Sequence, residues 1–119
     1  MFELIAVLMF LQVKHFYLDW VFQPKWMWSN KHIYGHYGGI LHALINAIGT
    51  ALIIGLFFGH FVLVLIIDFL CHYHIDWLKM NIKINLNQKP EDHEFWVLIG
   101  LDQTLHQFIY LILLAIVTF

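Results

Sequence analysis

Four long apolar runs constrain this chain more than any other feature of its sequence. They lie at about residues 2–22, 40–57, 61–78 and 95–119. A helix needs about 20 mostly apolar residues to cross the hydrocarbon core of a bilayer. The composition agrees, because 61% of the residues are hydrophobic and only 12% are charged. Since backbone groups in lipid must be paired internally, we predict an all-α fold: a four-helix transmembrane bundle in one integral membrane domain, residues 1–119.

A polar stretch separates the first two apolar runs. Residues 25–39 are rich in Trp, Tyr, His, Lys and Gly, a composition typical of the membrane interface. We therefore predict a short, partly helical interfacial segment between helices 1 and 2. Gly55 and Gly59 bracket the break between the second and third runs, which predicts a tight transmembrane hairpin there.

Charge and cysteine content exclude several classes of protein. The chain has no Arg and only six Lys, with a formal net charge of -2, so no basic surface indicates nucleic-acid binding. Cys71 is the only cysteine, which excludes an internal disulfide and a Cys-x-x-Cys site. The N-terminus lacks a basic region before its apolar run, so we interpret that run as a retained helix rather than a signal peptide.

The lysines predict an orientation. Five of the six lie in or beside the segments at 23–39 and 79–94, which four spans place on one side. The positive-inside rule puts these segments in the cytoplasm and both termini outside. We expect an integral protein of the bacterial inner (plasma) membrane.

Ionisable residues inside the apolar runs indicate a function, because charges at this depth are costly. The residues that we select are His15, Asp19, His42, Asp68, His72, Asp76, Asp102 and His106. At 1.5 Å per helical residue, all except Asp68 fall within roughly 5 to 17 Å of the same membrane face. Random placement in antiparallel helices would not produce this agreement.

Three of the four runs carry a histidine and an aspartate four residues apart. The pairs are His15 with Asp19, His72 with Asp76, and His106 with Asp102. The order is reversed in the fourth run, which crosses in the opposite direction to the first and third. We therefore expect an inner tier of three histidines and an outer tier of three aspartates, with His42 approaching from the side.

Imidazole and carboxylate groups together suit a divalent metal ion. Zinc is the preferred ion, with manganese and iron as alternatives. The predicted metal ligands are His15, His42, His72, His106, Asp76 and Asp102. The predicted catalytic residues are Asp19, Asp76 and Asp102. One divalent ion would also lower the cost of burying several anions together.

Polar residues in membranes also have other roles. They form hydrogen bonds between helices without any chemistry, and chains of Asp and His conduct protons or ions. Asp68 is the best sign of such a carrier because it extends the polar stripe toward the middle of the bilayer. Both alternatives stay open from the sequence.

The spacing of these residues resembles a family of small bacterial and phage membrane proteins catalogued only as a domain of unknown function. The pattern is His15-x3-Asp19-Trp20-x2-Gln23-x2-Trp26-Met27-x3-Lys31, then His42, then His72-x3-Asp76-x2-Lys79, then Asp102-Gln103-x2-His106. It covers nearly the whole chain. The resemblance implies a membrane protein and brings no activity with it. Asp68 lies outside the pattern.

Our leading hypothesis is a metal-dependent hydrolase that acts at the cytoplasmic membrane interface on a lipid-like or phosphate-containing substrate. The residues predicted to bind the substrate are Gln23, Lys31, Lys79 and Gln103. The partner is the lipid bilayer, and oligomerisation is left open. The alternatives are an ion, proton or metal carrier, and a non-catalytic membrane partner protein with a polar core.

Overall fold

A computed structural model describes all residues from Met1 to Phe119. Its elements are α1 (Phe2–Phe16), a π-helical turn (Tyr17–Val21), α2 (Lys25–Trp28), α3 (Tyr37–Phe58), α4 (Phe61–Asn85) and α5 (His93–Thr118). Four helices are long and apolar enough to cross a membrane: α1 with its π-helical turn, α3, α4 and α5. The predicted all-α, four-helix membrane architecture, with a short segment between the first two long helices, is confirmed.

Helix α3 has a face of small, buried side chains, and it makes its most extensive contact with α4. Ala43, Ala47 and Ala51 of α3 are fully buried. Their spacing of four residues puts them on one face, where small residues let helix backbones approach in a membrane. Gly59 joins α3 to α4 with a φ of +76°, a left-handed conformation that glycine adopts without a steric penalty.

Helix α4 continues to Asn85, past the end of the third apolar run at residue 78. Its last turns carry polar side chains that contact neighbouring segments. Asn81 donates a hydrogen bond from Nδ2 to the His32 carbonyl at 3.1 Å, and Lys83 Nζ lies 5.1 Å from the ring centre of Phe95 in α5. These contacts support a helix longer than hydropathy alone predicts.

The π-helical turn positions the first aspartate of the site. The amide of Phe22 donates to the Tyr17 carbonyl at 2.7 Å, a wider turn than that of an α-helix. Asp19 in this turn is buried, whereas the neighbouring Trp20 is exposed. Pro24, which has no N–H group, follows the turn and helps to end the helix.

The interfacial segment at residues 29–36 is attached to α4. Gly35 donates its amide hydrogen to the Tyr73 hydroxyl at 2.7 Å, and the Tyr34 hydroxyl lies 3.0 Å from His74 Nε2. These contacts hold the segment over the bundle so that Lys31 is buried, with only 4% of its surface exposed.

The interior of the bundle has two chemically different halves. The apolar half, toward the chain termini and the α3–α4 turn, contains Val7, Leu11, Ala51, Ile54, Val64, Tyr110, Leu113 and Leu114. The polar half, toward the interfacial segment, contains the buried polar residues His15, Asp19, Lys31, His42, Asn46, Thr50, Asp68, His72, Asp76, Asp102 and His106.

Candidate metal centre

Three helical segments bring Asp19, His42 and His72 into one group whose ligand atoms lie within 4.8 Å of one another. His42 Nε2 is 2.9 Å from Asp19 Oδ1. His72 Nε2 is 3.4 Å from the same oxygen and 3.2 Å from His42 Nε2. The π-helical turn, α3 and α4 therefore each supply one of the three side chains.

A second group shares His72 and adds Asp76 and His106. Asp76 faces both groups. Its Oδ2 lies 3.4 Å from His42 Nε2, and its Oδ1 lies 3.4 Å from His106 Nε2. The Asp76 carboxylate therefore joins the two groups into one cluster that involves α1 with its π-helical turn, α3, α4 and α5.

The separations within the first group suit ligands of one metal ion. Bonds of about 2.0 to 2.2 Å place neighbouring N and O ligand atoms about 2.8 to 3.6 Å apart in tetrahedral or octahedral coordination. The three distances among Asp19, His42 and His72 all fall within this range. These residues could hold a metal ion without a large rearrangement.

Some buried atoms of the cluster lack a hydrogen-bond partner. They include Asp19 Oδ1 and His106 Nε2. His42 Nε2 is close to Asp19 Oδ1, but the contact does not have hydrogen-bond geometry. Because an unpaired buried polar group is costly, a metal ion bound by these atoms would remove that cost.

Lysines compensate two of the three outer aspartates. Lys31 Nζ lies 2.6 Å from Asp76 Oδ2, and Lys79 Nζ lies 3.2 Å from Asp102 Oδ2. Asp19 has only histidines as basic neighbours within 4 Å. Among the three outer aspartates, Asp19 is therefore the one without a lysine partner, and it belongs to the first group.

A cavity of about 310 Å³ lies next to the cluster. The three outer aspartates line it together with Lys31, Lys79, Lys83, Gln23 and Gln103, and with apolar side chains such as Trp20 and Phe95. None of the four histidines lines the cavity. The aspartates thus separate the cavity from the histidines, as expected for two tiers of residues.

His15 and Asp102 are predicted metal ligands that lie outside both groups. His15 is buried with both ring nitrogens engaged: Nδ1 lies 3.0 Å from the Tyr110 hydroxyl, and Nε2 lies 2.6 Å from Gln103 Oε1. Asp102 Oδ2 accepts hydrogen bonds from Lys79 and Gln103, and its Oδ1 is unpartnered. Both residues therefore lie outside the two groups of side chains that could hold a metal ion.

The four predicted substrate-binding residues all reach the cavity wall. Lys31 and Lys79 also form the ion pairs described above, and Gln103 links His15 to Asp102. The Gln23 side-chain amide donates to the Asp19 carbonyl. Each of these side chains therefore has a structural partner as well as access to the cavity.

Lys14 is not among the predicted site residues, yet it organises the deeper part of the polar half. Its Nζ lies 2.8 Å from the Tyr110 hydroxyl and 2.9 Å from Thr50 Oγ1. A lysine inside an apolar run is the same signal that selects the other polar residues. Lys14 directly precedes His15 in the first apolar run, so the sequence carries this signal for it as well.

Asp68 lies deepest of the aspartates, as its sequence position predicts. It is 1% exposed, and its Oδ2 has no hydrogen-bond partner. No basic side chain lies within 4 Å of it. Asp68 is therefore separate from both metal-ligand groups.

Comparison with known families gives one match that covers nearly the whole chain. Residues 7–119 match a family model described as "Protein of unknown function (DUF3307)". The chain belongs to this family. No significant match was found among curated proteins or solved structures.

Membership of DUF3307 confirms the resemblance inferred from the spacing of the polar residues. The matched region contains every residue of the cluster and the cavity wall. The family description names no activity, so any function must be argued from the geometry of the site itself.

Proposed function

We propose that this protein is a membrane-embedded, metal-dependent hydrolase that acts at the membrane interface on a lipid-like or phosphate-containing substrate. The observation that supports it is the convergence of Asp19, His42 and His72 next to an open polar cavity. Three protein ligands and one open position are typical of catalytic zinc sites, whereas structural sites have four protein ligands.

The first group is the proposed metal site, and zinc is the preferred ion. Asp19, His42 and His72 would supply one oxygen and two nitrogens, a donor set that zinc accepts. A water molecule on the cavity side would complete the coordination and would become a stronger nucleophile when bound to the metal. Manganese and iron accept similar ligands and are the alternatives.

Asp102 is the proposed general base. It lines the cavity, and its unpartnered Oδ1 is 3.5 Å from His106 Nε2. Asp76 is paired with Lys31 and contacts both ligand groups, so its role would be to orient the histidines or to bridge to a second ion. Asp19 moves in this proposal from the predicted catalytic residues to the metal ligands.

Metal analysis of the detergent-purified protein tests the metal site. We expect a stoichiometric transition metal in the parent and a loss of about 10- to 100-fold or more in affinity in His72→Ala, since a direct ligand is removed. His93→Ala is the matched control because His93 is exposed at the start of α5. A metal-free parent of full stability would refute the proposal.

Hydrolysis is tested separately with the metal-loaded protein. Phosphomonoester and phospholipid substrates in mixed micelles are suitable probes. We expect Asp102→Asn to keep its metal and lose about 10²- to 10⁴-fold in turnover, the range of general-base catalysis. Metal binding without turnover of any ester in the parent would leave a metal-binding protein and reject the hydrolase.

The orientation in the membrane is part of the proposal. The cavity opens among Lys31, Lys79 and Lys83, and the lysine-rich side of a membrane protein is commonly cytoplasmic. We therefore propose that the site faces the cytoplasm of a bacterial cell.

An ion or proton carrier is the second candidate, and one observation favours it. The Tyr110 hydroxyl contacts both His15 and Lys14, and Lys14 also contacts Thr50. This polar chain runs from the cluster into the bundle, where Asp68 is also buried. A liposome flux assay on the parent and on Asp68→Asn tests it, and absence of flux in the parent rejects it.

A further inference from the structure

Two cavities lie against the pair of helices α4 and α5. One is the polar cavity beside the metal centre. The other is an apolar groove of about 200 Å³ whose lining includes Leu78, Ile82 and Leu101. The two cavities share three wall residues, which are Lys79, Leu98 and Asp102. The ion pair between Lys79 and Asp102 therefore stands between a polar site and an apolar groove.

The groove lies on the outer surface of two helices that are apolar enough to cross a membrane. Leu78 and Leu101 are 51% and 54% exposed, and both belong to helices that can cross a membrane. Exposed aliphatic side chains on such helices contact acyl chains rather than water. The groove therefore has the chemistry and the position to accept a lipid chain.

The polar cavity also contains a lysine without an acidic partner. Lys31 and Lys79 are paired with Asp76 and Asp102. Lys83 has no carboxylate within 4 Å, and its ammonium group lies 5.1 Å from the ring centre of Phe95. Lys83 is thus the cation of the cavity wall that is free to pair with an anionic ligand.

We propose that the ligand of the polar cavity is an anionic lipid taken laterally from the bilayer. Its acyl chain would lie in the groove between α4 and α5, and its charged group would lie in the cavity near Lys83. Lys79, Leu98 and Asp102 form the shared wall where chain and headgroup meet. This inference names the substrate class of the proposed hydrolase and so rests on that proposal for its catalytic meaning.

Native mass spectrometry of the detergent-solubilised full chain tests the lipid site. The probes are dioleoylphosphatidylglycerol, which is anionic, and dioleoylphosphatidylcholine, which is zwitterionic. We expect a preference of about fivefold or more for the anionic lipid, the effect of one lysine near an anionic headgroup. Lys83→Gln should remove this preference. Lys89→Gln should keep it, because Lys89 is exposed and outside the cavity.

A second pair of variants tests the groove. Leu101→Trp fills it and should weaken binding of both lipids several-fold. Leu111→Trp is the matched control, since Leu111 is 50% exposed on the same helix and lies outside the groove. Equal affinity for the two lipids in the parent, or equal effects of the test and control variants, would overturn the lipid site.

Metal content measured on the same samples separates the two proposals. A metal-free parent that prefers the anionic lipid refutes the metal centre and supports the lipid site. A metal-loaded parent that does not prefer the anionic lipid supports the metal centre and refutes the lipid site. Lys83→Gln should retain its metal, because Lys83 belongs to neither ligand group.

Discussion

The apolar and polar halves of the bundle interior are built on the same four helices but are stabilised in different ways. In the apolar half, side chains such as Leu11, Ile54 and Leu113 are fully buried against one another. In the polar half, aspartates, histidines and lysines occupy the equivalent inward positions. Packing alone stabilises the apolar half, whereas each buried charge in the polar half requires an oppositely charged or hydrogen-bonding partner.

The polar half contains one more buried aspartate than lysines. Four aspartates are buried, and the lysines that enter the same interior are Lys14, Lys31 and Lys79. A buried charge without a partner costs several kcal/mol, so the remaining aspartate requires a cation, which either a protonated histidine of the cluster or a bound metal ion can supply.

Removing Lys31 should have the largest effect on stability. Lys31→Met leaves Asp76 without its 2.6 Å partner, and breaking a buried ion pair from one side costs about 3 to 5 kcal/mol. We expect a loss of this size in the free energy of unfolding of the metal-free protein, measured by detergent-induced unfolding in mixed micelles. Saturating zinc should reduce the loss, because the ion also neutralises the cluster.

Lys25→Met is the control for this comparison. Lys25 is exposed at the start of α2, so its removal should change the free energy of unfolding by less than about 0.5 kcal/mol. Equal effects of the two substitutions would mean that the polar half is not held together by the Lys31–Asp76 ion pair.

A substitution in the apolar half should lower stability and leave the zinc affinity unchanged. Ile54→Ala leaves a cavity in the apolar half, where Ile54 is fully buried. We expect a loss of about 2 kcal/mol in the free energy of unfolding, near the low end for such changes because lipid replaces water as the solvent. Isothermal titration with zinc should give an unchanged affinity. A matching loss of metal affinity would show that the two halves are coupled.

The fold was predictable because its main determinant is local. Each long helix follows from an apolar run, and the hairpin turn follows from Gly59. The extension of α4 to Asn85 was not predicted, because hydropathy records the end of an apolar run and not the partners that Asn81 and Lys83 find on neighbouring segments. The π-helical turn around Asp19 also has no simple sequence signature.

The sequence predicts which residues lie near one another in the candidate site, but it does not predict which atoms are in contact. Helical spacing placed His72, Asp76 and His106 near the same membrane face, in two adjacent tiers, and the structure brings these residues into one group. Spacing does not show which nitrogens have other partners, so the contacts of both His15 ring nitrogens with Tyr110 and Gln103 are visible only in the structure. The pairing of Lys31 with Asp76 depends on the path of an irregular segment and could not be inferred from periodicity.

The smallest expected effects concern the attachment to the polar half of the irregular segment that carries Lys31. A Cβ atom at Gly38 would lie 2.9 Å from the Trp26 carbonyl oxygen, so Gly38→Ala must displace α2 from α3. We expect a loss of about 1 kcal/mol in the free energy of unfolding, within the usual range for steric changes of this kind.

Gly100→Ala is the matched helical control, with nothing within 4 Å of the added atom. It should gain about 0.5 to 1 kcal/mol in the free energy of unfolding from helix propensity. The same sign for the two glycine variants would show that contact between α2 and α3 does not hold the segment in place.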